Sequence, residues 1–397
     1  MSEIQVLQKQ LDSARQVKNP KAESSALIDL GNAYVAISRY GEAIDFYQQA
    51  LEIAQRINGI QAEAASLGNL GNAYTALGQY PKAIDFYQQA LEIARQIGDR
   101  QAEAASLGNL GNVYTALGQY PQAIDFYQQA LEIARQIGDR NSEGNQLGNL
   151  GLIYQNTGKY QEAIDAHKQA LNVLYGTGDR RGIASSLINL GSSYAALKQY
   201  ERAIDLYQQS LTIAREIKAL STENVTLGNL GSAYAALGEY NRAIDSNQQS
   251  LKISREIGDR ATEGASLSNL GITYARLEKY EQAIPLHQEA LAIAREIGDR
   301  YGEANSLGNL GNAYDALGHN ERALELYQQA LSIAKEIGDR HGEGVSLTNL
   351  GIVFAKLRRN NEAKEVLEQS IEILAQIGSP FLQVAQDVLE SLVANKT

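Results

Sequence analysis

Displaced by 40 positions, this sequence lies almost on top of itself. Residues 61–100 and 101–140 differ only at Ala73/Val113 and Lys82/Gln122. One column is glycine in every copy: Gly31, Gly71, Gly111, Gly151, Gly191, Gly231, Gly271, Gly311 and Gly351. A second column, from Ala43 to Ala363, is alanine throughout. A unit this short cannot bury an apolar face by itself, so copies must stack and bury it between them. The period therefore restricts the chain to an array of like modules.

The apolar spacing inside one unit is helical. Leu67, Leu70, Gly71 and Tyr74 fall at i, i+3, i+4 and i+7, one stripe of a first helix. Ala83, Tyr87, Ala90, Leu91 and Ala94 form the stripe of a second. Between them Gly78 is a helix stop, and Pro81 suits the start of the next helix. After the second helix, "IGDR" supplies Gly98 as a C-cap and Asp99 as an N-cap. Each unit is thus predicted to be a helix–turn–helix hairpin. Residues 1–19 read as an orphan second helix, 20–379 as nine hairpins, and 380–397 as a terminal capping helix with Asp387 at a first-helix leucine position.

The hairpin carries a recognisable signature. Leu67-x2-Leu70-Gly71-x2-Tyr74 followed by Ala83-x3-Tyr87-x2-Ala90 resembles the tetratricopeptide repeat (TPR), with leucine where that family has tryptophan. The period is 40 rather than the usual 34, and no proline closes the second helix. Long units of this kind are similar to the Pins/LGN repeats and, more distantly, to kinesin light chain, which Pro285 in "AIPLHQEAL" also resembles. The resemblance implies an all-α, right-handed solenoid over residues 1–397, with first helices lining an inner groove. It also implies a non-enzymatic adaptor that holds a protein or peptide segment there, extended or short-helical and acidic; a structural spacer or self-associating solenoid, and a peptide- or ligand-responsive regulator of a partner enzyme, are the alternatives.

Composition narrows the partners. With 46 acidic against 35 basic residues the net charge is −11, so the field disfavours nucleic acid and acidic membranes. Cysteine is absent, which excludes disulfides, thiol catalysis and cysteine-ligated metals. No run approaches the roughly 20 apolar residues of a membrane helix, and the start lacks a signal-peptide layout. The expectation is a cytoplasmic protein without cofactors, and a monomer if the last helix caps the array.

Three columns are candidates for function. "LGNLGN" has the look of a phosphate loop, but a helical pattern runs through both glycines and no strand precedes them. Gly71 is instead expected to let helices approach closely, with the invariant alanine as its partner. Gly68 points away from the apolar stripe at 100° per residue, toward the groove, with Ala65, Asn72, Thr75 and Ala76 on the same face.

One asparagine column is Asn69, Asn109, Asn149, Asn189, Asn229, Asn269, Asn309 and Asn349, with Asp29 in the first copy. The other is Asn32, Asn72, Asn112 and Asn312, replaced elsewhere by Leu152, Ser192, Ser232, Ile272 and Ile352. Asparagine is a poor helix-interior residue, so its recurrence indicates that the amides are used. Two uses are open: a hydrogen-bond ladder between neighbouring first helices, or a grip on a peptide backbone, for which an amide both donates and accepts. The family resemblance implies the second use, and Asn72's column suits it better.

The third column is Arg95, Arg135, Arg215, Arg255 and Arg295, with Lys335. These residues are anchors for a ligand's carboxylates or, alternatively, cations at helix C-termini. Arg100, Arg140, Arg180, Arg260, Arg300 and Arg340 read as structural loop residues. His167 and His287 fall in the Tyr87 column and are expected to pack.

Overall fold

A left-handed backbone residue recurs every twenty positions and sets the architecture. Glycines 78, 98, 118, 138, 158, 178, 238, 258, 298, 318, 338 and 378 have positive φ, and Lys18, Ser38, Asn58, Lys198, Lys218, Glu278 and Arg358 take the same conformation without a glycine. Each ends one helix and turns the chain into the next. The computed structural model describes residues 3–394 and contains twenty helices and no strand over that span.

The chain divides into two compact units, one reaching Ser193 and the other beginning at Tyr194. The first holds α1 (Glu3–Gln16), α2 (Pro20–Ala36), α3 (Tyr40–Arg56), α4 (Ile60–Ala76), α5 (Tyr80–Ile97), α6 (Arg100–Ala116), α7 (Tyr120–Ile137), α8 (Arg140–Asn156) and α9 (Tyr160–Tyr175). Helix α10 (Arg180–Ala196) carries the boundary. The second unit holds α11 (Tyr200–Glu216), α12 (Leu220–Ala236), α13 (Tyr240–Ile257), α14 (Arg260–Arg276), α15 (Tyr280–Ile297), α16 (Arg300–Ala316), α17 (Asn320–Ile337), α18 (Arg340–Lys356), α19 (Asn360–Gln376) and α20 (Leu382–Ala394).

Asp99, Asp139, Asp259, Asp299 and Asp339 cap the following helices, each carboxylate accepting a backbone N–H three residues on. Pro81 is the second residue of α5, where its missing N–H removes no helical bond. Helix α20 packs on α19 and α18, burying Ala385 and Leu392.

Helices α3, α5 and α7 in the first unit, and α13, α15 and α17 in the second, each pack against both the first helix of their own hairpin and that of the next. First helices also approach one another: α2 with α4 and α4 with α6 in the first unit, α12 with α14, α14 with α16 and α16 with α18 in the second. Layers that meet their own kind across a repeat lie on the tighter side of the stack. The first helices therefore form the inner face of each unit.

The invariant columns explain how closely the layers sit. Alanines 43, 83, 123, 163, 203, 243, 283, 323 and 363 are each 0% exposed, so no larger side chain fits there. The invariant glycine meets a different residue from the one expected. A Cβ built on Gly71 lies 2.5 Å from the Tyr87 ring, and one on Gly111 lies 2.5 Å from Tyr127. The ring four residues beyond the alanine, rather than the alanine, comes against the glycine. The alanine lets the helices close, and the ring uses the space that the glycine leaves.

Candidate functional site

The inner face is built around a tyrosine hydroxyl that sequence inspection treated only as core. In the second repeat, Tyr87 is 2% exposed, and its hydroxyl lies beside the exposed Asn72 and donates to Asn72 Oδ1 at 2.7 Å. The same 2.7 Å bond joins Tyr47 to Asn32, Tyr127 to Asn112 and Tyr327 to Asn312. Burial pushes the Tyr47 phenol up to about 12, and likewise raises Tyr87 and Tyr127, so the hydroxyls keep their protons and can donate. Thr75 Oγ1 lies 3.3 Å from the Tyr87 hydroxyl and donates to the Gly71 carbonyl. Each such rung is a fixed polar cluster at the groove edge of the core.

The two asparagine columns meet across repeats. Asn109 Nδ2 reaches Asn72 Oδ1, Asn149 reaches Asn112 and Asn349 reaches Asn312, all at 3.4 Å, while Asn269 reaches Ser232 Oγ at 3.2 Å. At 3.4 Å these are long bonds, weaker than the tyrosine contacts. The first column (Asn69, Asn109, Asn149, Asn189, Asn229, Asn269, Asn309, Asn349) is half-buried between first helices, whereas Asn72, Asn112 and Asn312 are exposed. The latter have Oδ1 doubly engaged. Their Nδ2 groups are given to no protein atom among the described residues and face solvent. Gly68, Ala65 and Ala76 share that face, and a Cβ on Gly68 would meet nothing within 4 Å.

The arginine column stands elsewhere. Arg95, Arg135, Arg215, Arg255 and Arg295 donate Nε to Glu103, Glu143, Glu223, Glu263 and Glu303 at 2.7–2.9 Å, each glutamate being eight residues on. Lys335 lies 4.0 Å from Glu343. Glu103 and Glu303 stand nine residues, about 13.5 Å at 1.5 Å per residue, before the exposed Asn112 and Asn312 along the same helices. The arginines and the amides are not one site. The loop arginines converge on the same carboxylates: Arg100 reaches Glu103 at 2.5 Å and Arg140 reaches Glu143 at 2.6 Å. Arg100 also donates to Gln136 at the end of α7, and Arg260 bonds Glu296 at the end of α15.

The glutamate is thus the hub of an inter-repeat clamp that sequence reading passed over. Its signal was an invariant-looking spacing: a glutamate eight residues after the arginine, in the first turn of the next helix, where the dipole also favours it. Burial pushes the Glu263 carboxyl up, but hydrogen bonds from Arg255 and Arg260 outweigh it and hold it below 4.5. Glu303 behaves alike between Arg295 and Arg300.

We expect Glu103→Gln to cost about 1–3 kcal/mol in urea unfolding, because it strips two charge-assisted bonds from a nearly buried acceptor. Arg95→Ala should cost under about 1 kcal/mol, since that side chain is 52% exposed. Equal costs would contradict the clamp.

The tetratricopeptide repeat profile matches residues 4–56, 62–136, 145–216, 222–296, 262–336 and 303–376. The chain belongs to the TPR family. A search of curated proteins found no match. Among solved structures, this TPR protein is similar to the apo form of the quorum sensor NprR from B. thuringiensis: 18% identity, TM-score 0.62, covering 91% of this chain and 99% of that one. It is also similar to a signal transduction ATPase with a TPR sensor from Pyrococcus horikoshii, at 15% identity and TM-score 0.66, covering 89% of this chain and 54% of that one. Aspartyl phosphate phosphatase F from Bacillus subtilis matches at 15% identity and TM-score 0.58, over 88% and 93% of the two chains. At such identities the likeness establishes the fold. No helix of the described residues is long and apolar enough to cross a membrane.

Proposed function

We propose that this TPR protein is a non-enzymatic interaction module that binds an extended or short-helical segment of a partner on the face of its first helices. The observation that carries this reading is the recurring exposed amide. At Asn72, Asn112 and Asn312 a buried tyrosine hydroxyl holds Oδ1, which orients the side chain and leaves Nδ2 as a donor toward the groove. A row of preorganised donors beside small residues suits the carbonyl oxygens of an extended chain and the carboxylates of an acidic one. Fixing the amides beforehand lowers the ordering cost of each contact. The arginines, already matched by glutamates, contribute to holding repeats together rather than to the ligand's charge.

The test is titration with disordered acidic peptides. Asn72→Ser with Asn112→Ser, the residue this chain itself carries at Ser232, should weaken binding at least about tenfold, since about 1.4 kcal/mol across two lost donors is a factor of ten. Arg95→Ala with Arg135→Ala should change it little. Unaltered affinity in the asparagine pair would sink the groove reading.

A further inference from the structure

The sixth repeat departs from the tyrosine rung in a way that opens a pocket. In the second repeat the phenol oxygen of Tyr87 touches Asn72 Oδ1 at 2.7 Å and Thr75 Oγ1 at 3.3 Å. The equivalent positions in the sixth repeat are Ser232 and Ala235, and the ring is replaced by Asn247. Ser232, Ala235 and Asn247 line a pocket of about 160 Å³ between α12, α13 and α14, together with Asn269, Ile272 and Arg276. The pocket lies where repeats one, two, three and eight place their own phenol. An engineered cavity of roughly 150 Å³ accepts a benzene ring, so the space is of single-ring size.

Its floor is chemically unsatisfied. Asn247 is 0% exposed and donates Nδ2 to the Ala243 carbonyl at 2.9 Å, which fixes the orientation of the amide. Its Oδ1 is buried and meets no donor among the described residues. A buried acceptor left without a donor is costly, and a ligand that supplies one recovers that cost. Ser232 is already engaged, donating to the Gly228 carbonyl and accepting from Asn269. Ile272 and Ala235 give apolar walls. At the rim the Arg276 side chain is exposed and in no ion pair among the described residues, which disfavours an ammonium and permits a neutral ring.

We propose that this pocket binds a phenol, its ring between α12 and α14 and its hydroxyl donating to Asn247 Oδ1. Resting on the groove reading above, the phenol is the tyrosine side chain of the bound segment. The segment would thereby complete, from outside, the rung that the sixth repeat does not build for itself. This assigns register to an otherwise repetitive groove: the amide rows tolerate many sequences, and one pocket selects where a tyrosine must fall.

The experiment uses the full chain, isotopically labelled, with p-cresol and toluene as probes. p-Cresol should saturate with shifts confined to α12–α14 and bind at least about tenfold tighter than toluene, because a site that pairs a hydroxyl rejects the analogue lacking it. Asn247→Ala should erase that preference while keeping room for both. Asn247→Tyr should abolish binding of both and raise the melting temperature, its own ring taking the place. Equal binding of p-cresol and toluene, or undiminished p-cresol binding to Asn247→Tyr, would overturn the proposal.

Two peptides of glycine and serine, one with a single tyrosine and one with phenylalanine, separate the sources. The tyrosine peptide should bind tighter than p-cresol; parity between them would overturn the segment as source in favour of a free phenol. Asn72→Ser with Asn112→Ser should leave p-cresol binding intact. Loss of acidic-peptide affinity there, without loss of p-cresol, keeps the two readings independent: either can fall alone.

Discussion

Alanine at Gly71 should destabilise the fold by about 1–3 kcal/mol, whereas alanine at Gly68, three residues away on the same helix, should stabilise it by about 0.5–1 kcal/mol. The two glycines share a helix, a turn and the same intrinsic penalty of about 1 kcal/mol relative to alanine. They differ in what a methyl group meets. At Gly71 the new carbon would sit 2.5 Å from Cε1 and 2.6 Å from Cδ1 of Tyr87. The ring cannot swing aside, because its hydroxyl is tied to Asn72 and its faces are packed; α4 and α5 must separate instead. At Gly68 nothing lies within 4 Å, so only the propensity gain remains.

Urea unfolding of the two variants gives the sign directly. Hydrogen exchange should place the Gly71→Ala loss in the second repeat and its neighbours, as expected for a stack in which each module contacts only adjacent ones. Tyr87→Ala combined with Gly71→Ala should cost less than the sum of the single variants, because the clash needs both. A neutral or stabilising Gly71→Ala would show that the ring does not fix the helix spacing.

That contrast also marks where the sequence could be read and where it could not. Everything local to one helix was legible: the stripes of Leu67, Leu70 and Tyr74, the stop at Gly78, the cap at Asp99, the position of Gly71 beside the apolar stripe and of Gly68 away from it. These follow from 3.6 residues per turn and from backbone chemistry. What crosses between helices was not. Tyr87 meets Asn72 fifteen residues back, Asn109 reaches Asn72 over thirty-seven, and Glu103 gathers Arg95 and Arg100.

A trace of the first pairing was present in the covariation of columns within the chain itself. Wherever the second asparagine column is Asn32, Asn72, Asn112 or Asn312, the partner is Tyr47, Tyr87, Tyr127 or Tyr327; where it is Leu152, Ser232, Ile272 or Ile352, the partner is His167, Asn247, His287 or Leu367. Repeat five departs, with Ser192 and Tyr207. Non-glycine residues at seven left-handed turns were invisible for another reason. Packing on both sides holds those turns, so a cost of roughly 1–2 kcal/mol per residue is tolerated without any mark in the sequence.

The same column yields the second large effect, a loss of stability in mild acid. His167 and His287 are 0% and 1% exposed, lying over Gly151 and Gly271 where other repeats have tyrosine. Burial pushes each imidazole down to about 4 from an ordinary 6.5. Both His167 nitrogens and His287 Nδ1 lack a hydrogen-bond partner among the described residues, so nothing there compensates a charge. In the folded state the rings stay neutral to about pH 4, while in the unfolded chain they take a proton below about 6.5.

Stability should therefore be complete above pH 6.5, fall between 6.5 and 4, and level off below. At 1.36 kcal/mol per unit the loss is roughly 3 kcal/mol for each ring. The clamp glutamates cannot account for this window. Glu263 and Glu303, held below 4.5, contribute fully above that value and are lost only as pH falls through their lower folded values. Leucine is the matched replacement, because repeat nine already seats Leu367 against Gly351 with Ile352 in the neighbouring column, as Ile272 neighbours His287. His287→Leu with His167→Leu should flatten the unfolding free energy between pH 6.5 and 4.5, with hydrogen exchange in α8–α9 and α14–α15 reporting each ring separately. A wild-type profile already flat across that range would mean that the imidazoles reach water or a partner when charged, and the tyrosine column would then be a less closed layer than its packing indicates.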